Sequence, residues 1–231
     1  MSRPTKLAAP QLVTNSRMLY TSWIPADPQA CAALLPKALR PAASGAVYMN
    51  QYVVDSAEQT TGFGAYSLTY LGLDLDSFAP DGVTPARFFT HYFNSSEVVR
   101  AYASERGVPA SAGTTELELH GRTLTATTSI DGRPLIRTRA HVGPKIAATV
   151  AGHLRYVTRV GDRLVGGNYP YIGELAEDFA VEAIEFLDPH HPLFALRPAS
   201  PLQVVPGACF YAPRDSFVYP GGEVDMGAAE G

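Results

Sequence analysis

The sequence predicts one mainly β (α+β) domain, a barrel or sandwich carrying a few short helices. Runs of strand length rich in valine, tyrosine and phenylalanine recur between glycine, proline and aspartate turn signals, giving about ten strands and two short helices. The 231 residues are 46% hydrophobic and 17% charged with no internal break in composition, which suits a single core rather than two linked ones. The stretch from Arg87 to His141 reads strand, helix, glycine turn and three further strands, and the rest of the chain is organised around it.

Residues 1 to 10 hold two prolines and no periodicity, so they read as a loose arm. A first strand covers about Gln11 to Ile24. Asp27-Pro28 then offers an N-cap and a first-turn proline for a short apolar helix that stops before Pro36. Gly45 to Asp55 and Gly62 to Leu73 form a long hairpin bridged by polar residues, and Asp74 to Pro85 is a loop. The strand Arg87 to Phe93 runs through Asn94-Ser95-Ser96, good capping residues, into the helix Glu97 to Arg106, which ends at Gly107. Thr114 to Leu119, Arg122 to Ile130 and Leu135 to His141 make a meander with a hairpin signal at Asp131-Gly132-Arg133, and the helix lies across one end of it. Pro144 to Gly152 stays open between helix and loop. Strands follow at His153 to Val160, Gly173 to Leu187 and Leu202 to Ala212, and the Gly/Ala-rich segment from Pro220 to Gly231 reads as a flexible tail.

Composition excludes several functions. A net charge of -4 leaves no basic footprint for nucleic acid. No apolar run reaches membrane-spanning length and the N-terminus lacks a secretory apolar core, so a cytoplasmic protein with no membrane partner is expected. Cys31 and Cys209 sit in no metal or redox spacing, and the His190-His191 pair is bracketed by prolines without further ligands. No dinucleotide turn or P-loop occurs, so neither cofactor nor metal is expected. Only three lysines occur, Lys6, Lys37 and Lys145, out of 18 basic residues.

The order of elements carries a resemblance. Glu97 to Ala103, then Gly107-Val108-Pro109, then the meander Gly113 to Arg139, with Leu34-Leu35-Pro36 and Gly62-Phe63-Gly64-Ala65-Tyr66 upstream, resembles the acetoacetate decarboxylase-like superfamily over roughly Asn15 to Pro220. The resemblance implies a closed, cone-like antiparallel β-barrel around a small-molecule pocket, with the segment after the Arg87 strand at its base, and an oligomeric assembly. It also implies a lysine pair before the Gly-x-Pro corner, one of them forming a Schiff base. That place holds Ala103-Ser104-Glu105-Arg106, and no lysine occurs between Lys37 and Lys145. The family's partner carboxylate falls near Leu68 and its substrate-pairing arginine near Pro25, so the imine mechanism does not carry over.

What remains is positioning of a carbonyl compound between an acid, a base and apolar walls. Glu97 and Arg100 lie three apart on one helix face, as base and carboxylate contact or as an ordinary surface pair. Glu105 occupies the place of the second lysine. On the strand, Arg87, Phe89, His91 and Phe93 share one face and Tyr92 lies on the other, so either Arg87 and His91 or Tyr92 enter the interior. Tyr48, Tyr52, Phe63, Tyr66 and Tyr70 are candidate aromatic walls. Glu116 and Glu118, with Arg137 and Arg139, read as a charged outer face. Ser104 lacks an activating base, and Lys145 is a displaced imine candidate. The expectation is a lyase, dehydratase or cyclase acting without covalent imine on a small oxo-acid or polyketide-like substrate of a specialised biosynthetic pathway. A non-catalytic small-molecule binder and a Lys145 decarboxylase or aldolase are the alternatives.

Overall fold

The computed structural model describes residues 7–78 and 82–230; the first six residues of the expected N-terminal arm lie outside the described residues. The first strand, β1 (Gln11–Trp23), leads into α1 (Pro28–Ala32). Asp27 caps α1 by accepting from the backbone N–H of Gln29 at 3.1 Å and of Ala30 at 2.9 Å, with Pro28 at its first position. β2 (Val47–Val54) and β3 (Tyr66–Phe78) form the long hairpin. β4 (Pro85–Asn94) runs to Ser96, which caps α2 (Glu97–Ser104) through the N–H of Val99. Gly107 ends that turn at φ +73, where a Cβ would strike the Arg159 carbonyl, so only glycine fits. β5 (Ala110–Ala112) then adds to β4 in parallel.

The meander is β6 (Thr114–His120), β7 (Thr123–Ile130) and β8 (Arg133–His141), with Asp131 and Gly132 both at positive φ in its second turn. β9 (Ile146–Val160), β10 (Arg163–Ala176), β11 (Ala180–Phe186), β12 (Phe210–Tyr219) and β13 (Val224–Ala228) complete the chain. Strands β12, β1, β2, β3, β4, β9 and β10 follow one another around a barrel that β10 closes against β12. The expected closed barrel is there, with one difference in direction: β4 and β9 run parallel, Arg87 opposite Tyr156. Seven strands cannot alternate in direction around a closed ring, so one parallel pair is a geometric necessity.

The meander is not part of the barrel wall. With β11 it forms a second, four-stranded sheet laid on the outer face of β1 to β3. Ile136, Leu135 and Ile184 pack there against Trp23, Met49 and Leu71, while Leu117 and Leu124 pack on Leu19. Buried on both faces, β1 to β3 need not alternate apolar and polar, and almost every residue of β2 is buried. A buried hydroxyl seam ties the layers: Thr69 lies 2.6 Å from both Thr115 and Thr128, and Gln51 donates to Thr128 at 3.0 Å. The helix α2 packs on the barrel rather than on the meander, burying Val99, Tyr102 and Ala103 in the barrel's interior cluster. On the outer sheet Arg137 lies 3.9 Å from Glu185, since threonines of β7 separate it from Glu116.

Four readings change downstream. Residues 144–152, open between helix and loop, begin the long strand β9, whose Ile146 pairs with Ala176. The single strand expected from Gly173 to Leu187 is two, turning at Asp178 with φ +48, and β10 begins ten residues earlier at Arg163. Its glycines hide it in the sequence but each makes room for a neighbour: Gly167 lies against the Tyr156 phenol and Gly166 against the Met226 sulfur. The last barrel strand starts at Phe210, after the Pro206-Gly207 turn, rather than at Leu202. The tail is not free either: β13 pairs with β10, and Glu223 accepts from the Tyr156 hydroxyl at 2.7 Å.

Candidate functional site

The barrel holds a cavity of about 330 Å³, open to the surface beside Val83, whose wall is aromatic and apolar with a few polar groups set into it. Two β-bulges decide which. Between Met18↔Ala212 and Ser16↔Asp215, β1 advances two residues while β12 advances three. The extra residue breaks the alternation, so Phe210, Ala212, Asp215 and Phe217 all face inward and Arg214 turns out to pair with Glu174. Between Leu71↔His91 and Gly72↔Phe89, β4 spends two residues on one of β3, and Thr90 is the extra one. Arg87 and Phe89 therefore face inward together with Tyr92, while His91 and Phe93 face out.

Asp215 is the unusual member of the wall. Its residue is 2% exposed, and Oδ2 has no hydrogen-bond partner among the described residues. Burial pushes its carboxyl up to about 7. Gly173 stands opposite it on β10, where a Cβ would lie 2.5 Å from Oδ1, so a glycine makes the berth. Arg87 lines the same cavity with its side chain 14% exposed: Nε donates to Asp74 Oδ1 at 3.1 Å, and the guanidinium lies 4.8 Å from the Tyr20 ring centre and 5.1 Å from that of Tyr48. Burial would lower Arg87, but Tyr20, Asp74 and Tyr48 outweigh it and hold the cation. Burial likewise pushes Asp74 up, opposed by Arg87.

Tyr70 lines the cavity with Asp215 and Arg87. Asn50 Nδ2 donates to its oxygen at 2.9 Å, which leaves the Tyr70 hydroxyl proton available to a further acceptor. Burial pushes Tyr70 up to about 12 against the Asn50 hydrogen bond and the Arg87 charge, while Asp215 pushes it further up. It stays a neutral phenol. The Tyr20 hydroxyl and Asn50 Oδ1 are likewise buried without partners among the described residues. On the same wall Tyr52 lies 3.0 Å from the Tyr219 hydroxyl, and it reaches Tyr66 behind the wall at 2.9 Å.

The chain matches no protein-family model and no curated protein. Solved structures do match over nearly the whole length. An acetoacetate decarboxylase superposes with a TM-score of 0.69 at 13% identity, covering 96% of this chain and 91% of its own. The acetoacetate decarboxylase from Legionella pneumophila gives 0.63 at 16% identity, covering 98% and 93%. The enduracididine biosynthesis enzyme MppR complexed with pyruvate gives 0.66 at 15% identity, covering 96% and 92%. This is the acetoacetate decarboxylase-like fold.

Within the acetoacetate decarboxylase-like barrel, the predicted site residues divide. Arg87, Tyr52 and Tyr70 line the cavity. Tyr48, Tyr66, Tyr92 and Phe63 belong to the interior cluster behind its wall; Phe63 packs against Tyr66, Tyr102 and Tyr219, and Tyr48 donates to the Phe88 carbonyl at 3.2 Å. Glu97, Arg100 and Glu105 are not brought to the cavity, because α2 turns Val99, Tyr102 and Ala103 inward and leaves Glu97 and Glu105 exposed. Arg100 donates to the Asn94 carbonyl at 2.7 Å instead of facing a substrate. His91 is on the outer face beyond the β4 bulge, where burial and then His191 lower it to about 4. Arg106, just before Gly107, stacks on the Tyr102 ring at 3.6 Å and lies 2.9 Å from Glu223. Lys145 is exposed before β9 and Lys37 pairs with Glu230, so neither lines the cavity.

Sequence reasoning missed Asp215 and Asn50. Asp215 carried a signal, a lone carboxylate inside an apolar run, but regular alternation from Phe210 points Arg214 inward instead.

Among the described residues no helix is long and apolar enough to cross a membrane. No group of three or more His, Cys, Asp or Glu there is placed to hold a metal.

Proposed function

We propose that the barrel cavity is the active site of a lyase-type enzyme acting on a small oxo acid by non-covalent acid–base chemistry. Asp215 transfers the proton, Arg87 contacts the substrate carboxylate and Tyr70 donates to the carbonyl oxygen. The observation that carries this reading is the Asp215 carboxyl: buried, lining the cavity, unpartnered at Oδ2, and pushed up to about 7, where it exchanges protons at neutral pH. MppR, a biosynthesis enzyme of the same fold, is complexed with pyruvate, which supports a 2-oxo acid as occupant and a biosynthetic setting.

The Asp215 carboxylate takes a proton from the carbon beside the carbonyl. The C–H electron pair becomes the new C=C bond, and the carbonyl pair moves onto oxygen, which the Tyr70 hydroxyl stabilises as it becomes an enolate. The protonated Asp215 then either returns the proton to carbon or delivers it to a departing β-hydroxyl, which leaves as water. No lysine takes part.

The test is deuterium exchange at the carbon next to the carbonyl of 2-oxo and 3-oxo acids, followed by NMR in D₂O. Wild-type protein is expected to speed the exchange, with half-maximal rate near pH 7 and rising above it as Asp215 ionises. Asp215→Asn is expected to lose roughly 10²–10⁴-fold. Exchange that persists in Asp215→Asn would remove Asp215 from the mechanism.

A further inference from the structure

The cavity is too large and too aromatic for the smallest oxo acids. At a liquid share of ~30 Å³ per water, about 330 Å³ holds roughly eleven waters, several times the bulk of pyruvate. Eight of the eighteen residues of its wall are tyrosine or phenylalanine. Several present ring area rather than serving only as filler. Tyr20 and Phe210 stack face to face at 5.2 Å, 13° from parallel, and both border the cavity. Tyr171 is half-buried at the wall, its phenol lying over Gly152, where a Cβ would come within 2.8 Å of the hydroxyl. Met18, Leu154 and Phe217 fill the rest with apolar surface, while the anion contact is concentrated at Arg87. A three-carbon acid held at Arg87 would leave most of that apolar wall against water.

We infer that the cavity selects an oxo acid bearing a flat apolar group, an aryl ring in the simplest case, with its carboxylate at Arg87 and its ring against the tyrosine and phenylalanine wall. This rests on the reading of the cavity as an oxo-acid site, and it adds the class of side chain that site takes. The ring binds by removing apolar area from water and by offset or edge contacts with the wall rings. Its discrimination against pyruvate comes from the unfilled volume, not from a clash.

The experiment is calorimetric binding of three probes to wild-type protein and to Asp215→Asn: pyruvate, 2-oxo-4-phenylbutanoate, and 4-phenyl-2-butanone, which keeps the ring and carbonyl but has a methyl in place of the carboxylate. The ring-bearing acid is expected to bind at least about tenfold more tightly than either of the others, in both proteins. Pyruvate binding as tightly as 2-oxo-4-phenylbutanoate would overturn the aryl selection, and the neutral ketone binding as tightly as the acid would overturn the placement of a carboxylate at Arg87. Binding needs no turnover. Aryl selection without catalysed deuterium exchange would sink the acid–base reading alone, whereas exchange of pyruvate and the aryl acid with equal affinity would sink this inference alone.

Discussion

Strands β4 and β12 use the same backbone device for different ends. Each carries one extra residue against its neighbour, and each thereby changes which side chains enter the barrel. On β4 the residues beyond the bulge are neutral and serve packing and capping: Tyr92 joins the interior cluster, and Asn94 Oδ1 accepts from the N–H of Ser96 at 2.7 Å at the start of α2. On β12 the bulge brings in a carboxyl with an oxygen that nothing among the described residues satisfies. The charged groups of the two strands differ in the same way. Arg87 enters the interior with Asp74 beside it, whereas Asp215 enters alone. An ion pair in the interior can be structural, whereas a solitary buried carboxyl costs the fold stability once it ionises and points to the proposed role in proton transfer.

Substituting Arg87 tests the structural half of that contrast and has the largest expected effect. Arg87→Leu leaves Asp74 buried without its cation, with a loss of about 3–5 kcal/mol in urea unfolding at neutral pH. The loss shrinks at acid pH as Asp74 takes up a proton. An equal loss at every pH would mean that packing on Tyr20 and Tyr48, not charge, holds Arg87 in place.

Asp215→Asn tests the other half and changes stability in the opposite direction. The folded protein holds the Asp215 proton up to about pH 7, while an unfolded aspartate releases it near 3.9. Between those values the folded state binds more protons, so the wild type loses stability as pH rises through that window, by up to about 4 kcal/mol, and the loss is complete above the folded value. Asparagine has no such dependence. The variant is therefore expected to gain on the wild type from pH 4 to pH 7 and to keep a constant lead above it; parallel stability curves across that range would mean that Asp215 is solvated and not the group described here.

The same two strands mark the limit of what the sequence makes legible. Caps and turns are local, so Asp27-Pro28, Ser96 and Asp131-Gly132 identify themselves, and the absence of lysine between Lys37 and Lys145 can be read by inspection. A bulge is not local. Whether Arg214 or Asp215 faces inward depends on the register of β12 against Ser16 and Met18, about two hundred residues earlier, and alternation within the strand predicts the wrong one. Alternation likewise groups His91 with Arg87, which Thr90 separates. The glycines of β10 lower its strand signal for a reason visible only in three dimensions, since Gly167 and Gly173 accept the Tyr156 phenol and the Asp215 carboxyl of neighbouring strands.

The helix α2 supplies the smallest expected effect and the cleanest control. Its spacing does place Glu97 and Arg100 within one turn, and helical periodicity alone cannot say which face meets the barrel. Packing decides it, because Val99, Tyr102 and Ala103 occupy the buried side and Arg100 is drawn to the Asn94 carbonyl at the end of β4. Exposed carboxylates on the opposite side are worth little to the fold, even where they are paired. Glu97→Gln and Glu105→Gln are therefore expected to change stability by no more than about 0.5 kcal/mol and to leave deuterium exchange within about twofold of wild type. A hundredfold loss of exchange in either variant, with Asp215→Asn still active, would move the proton-transfer group from the barrel interior to the outer face of α2.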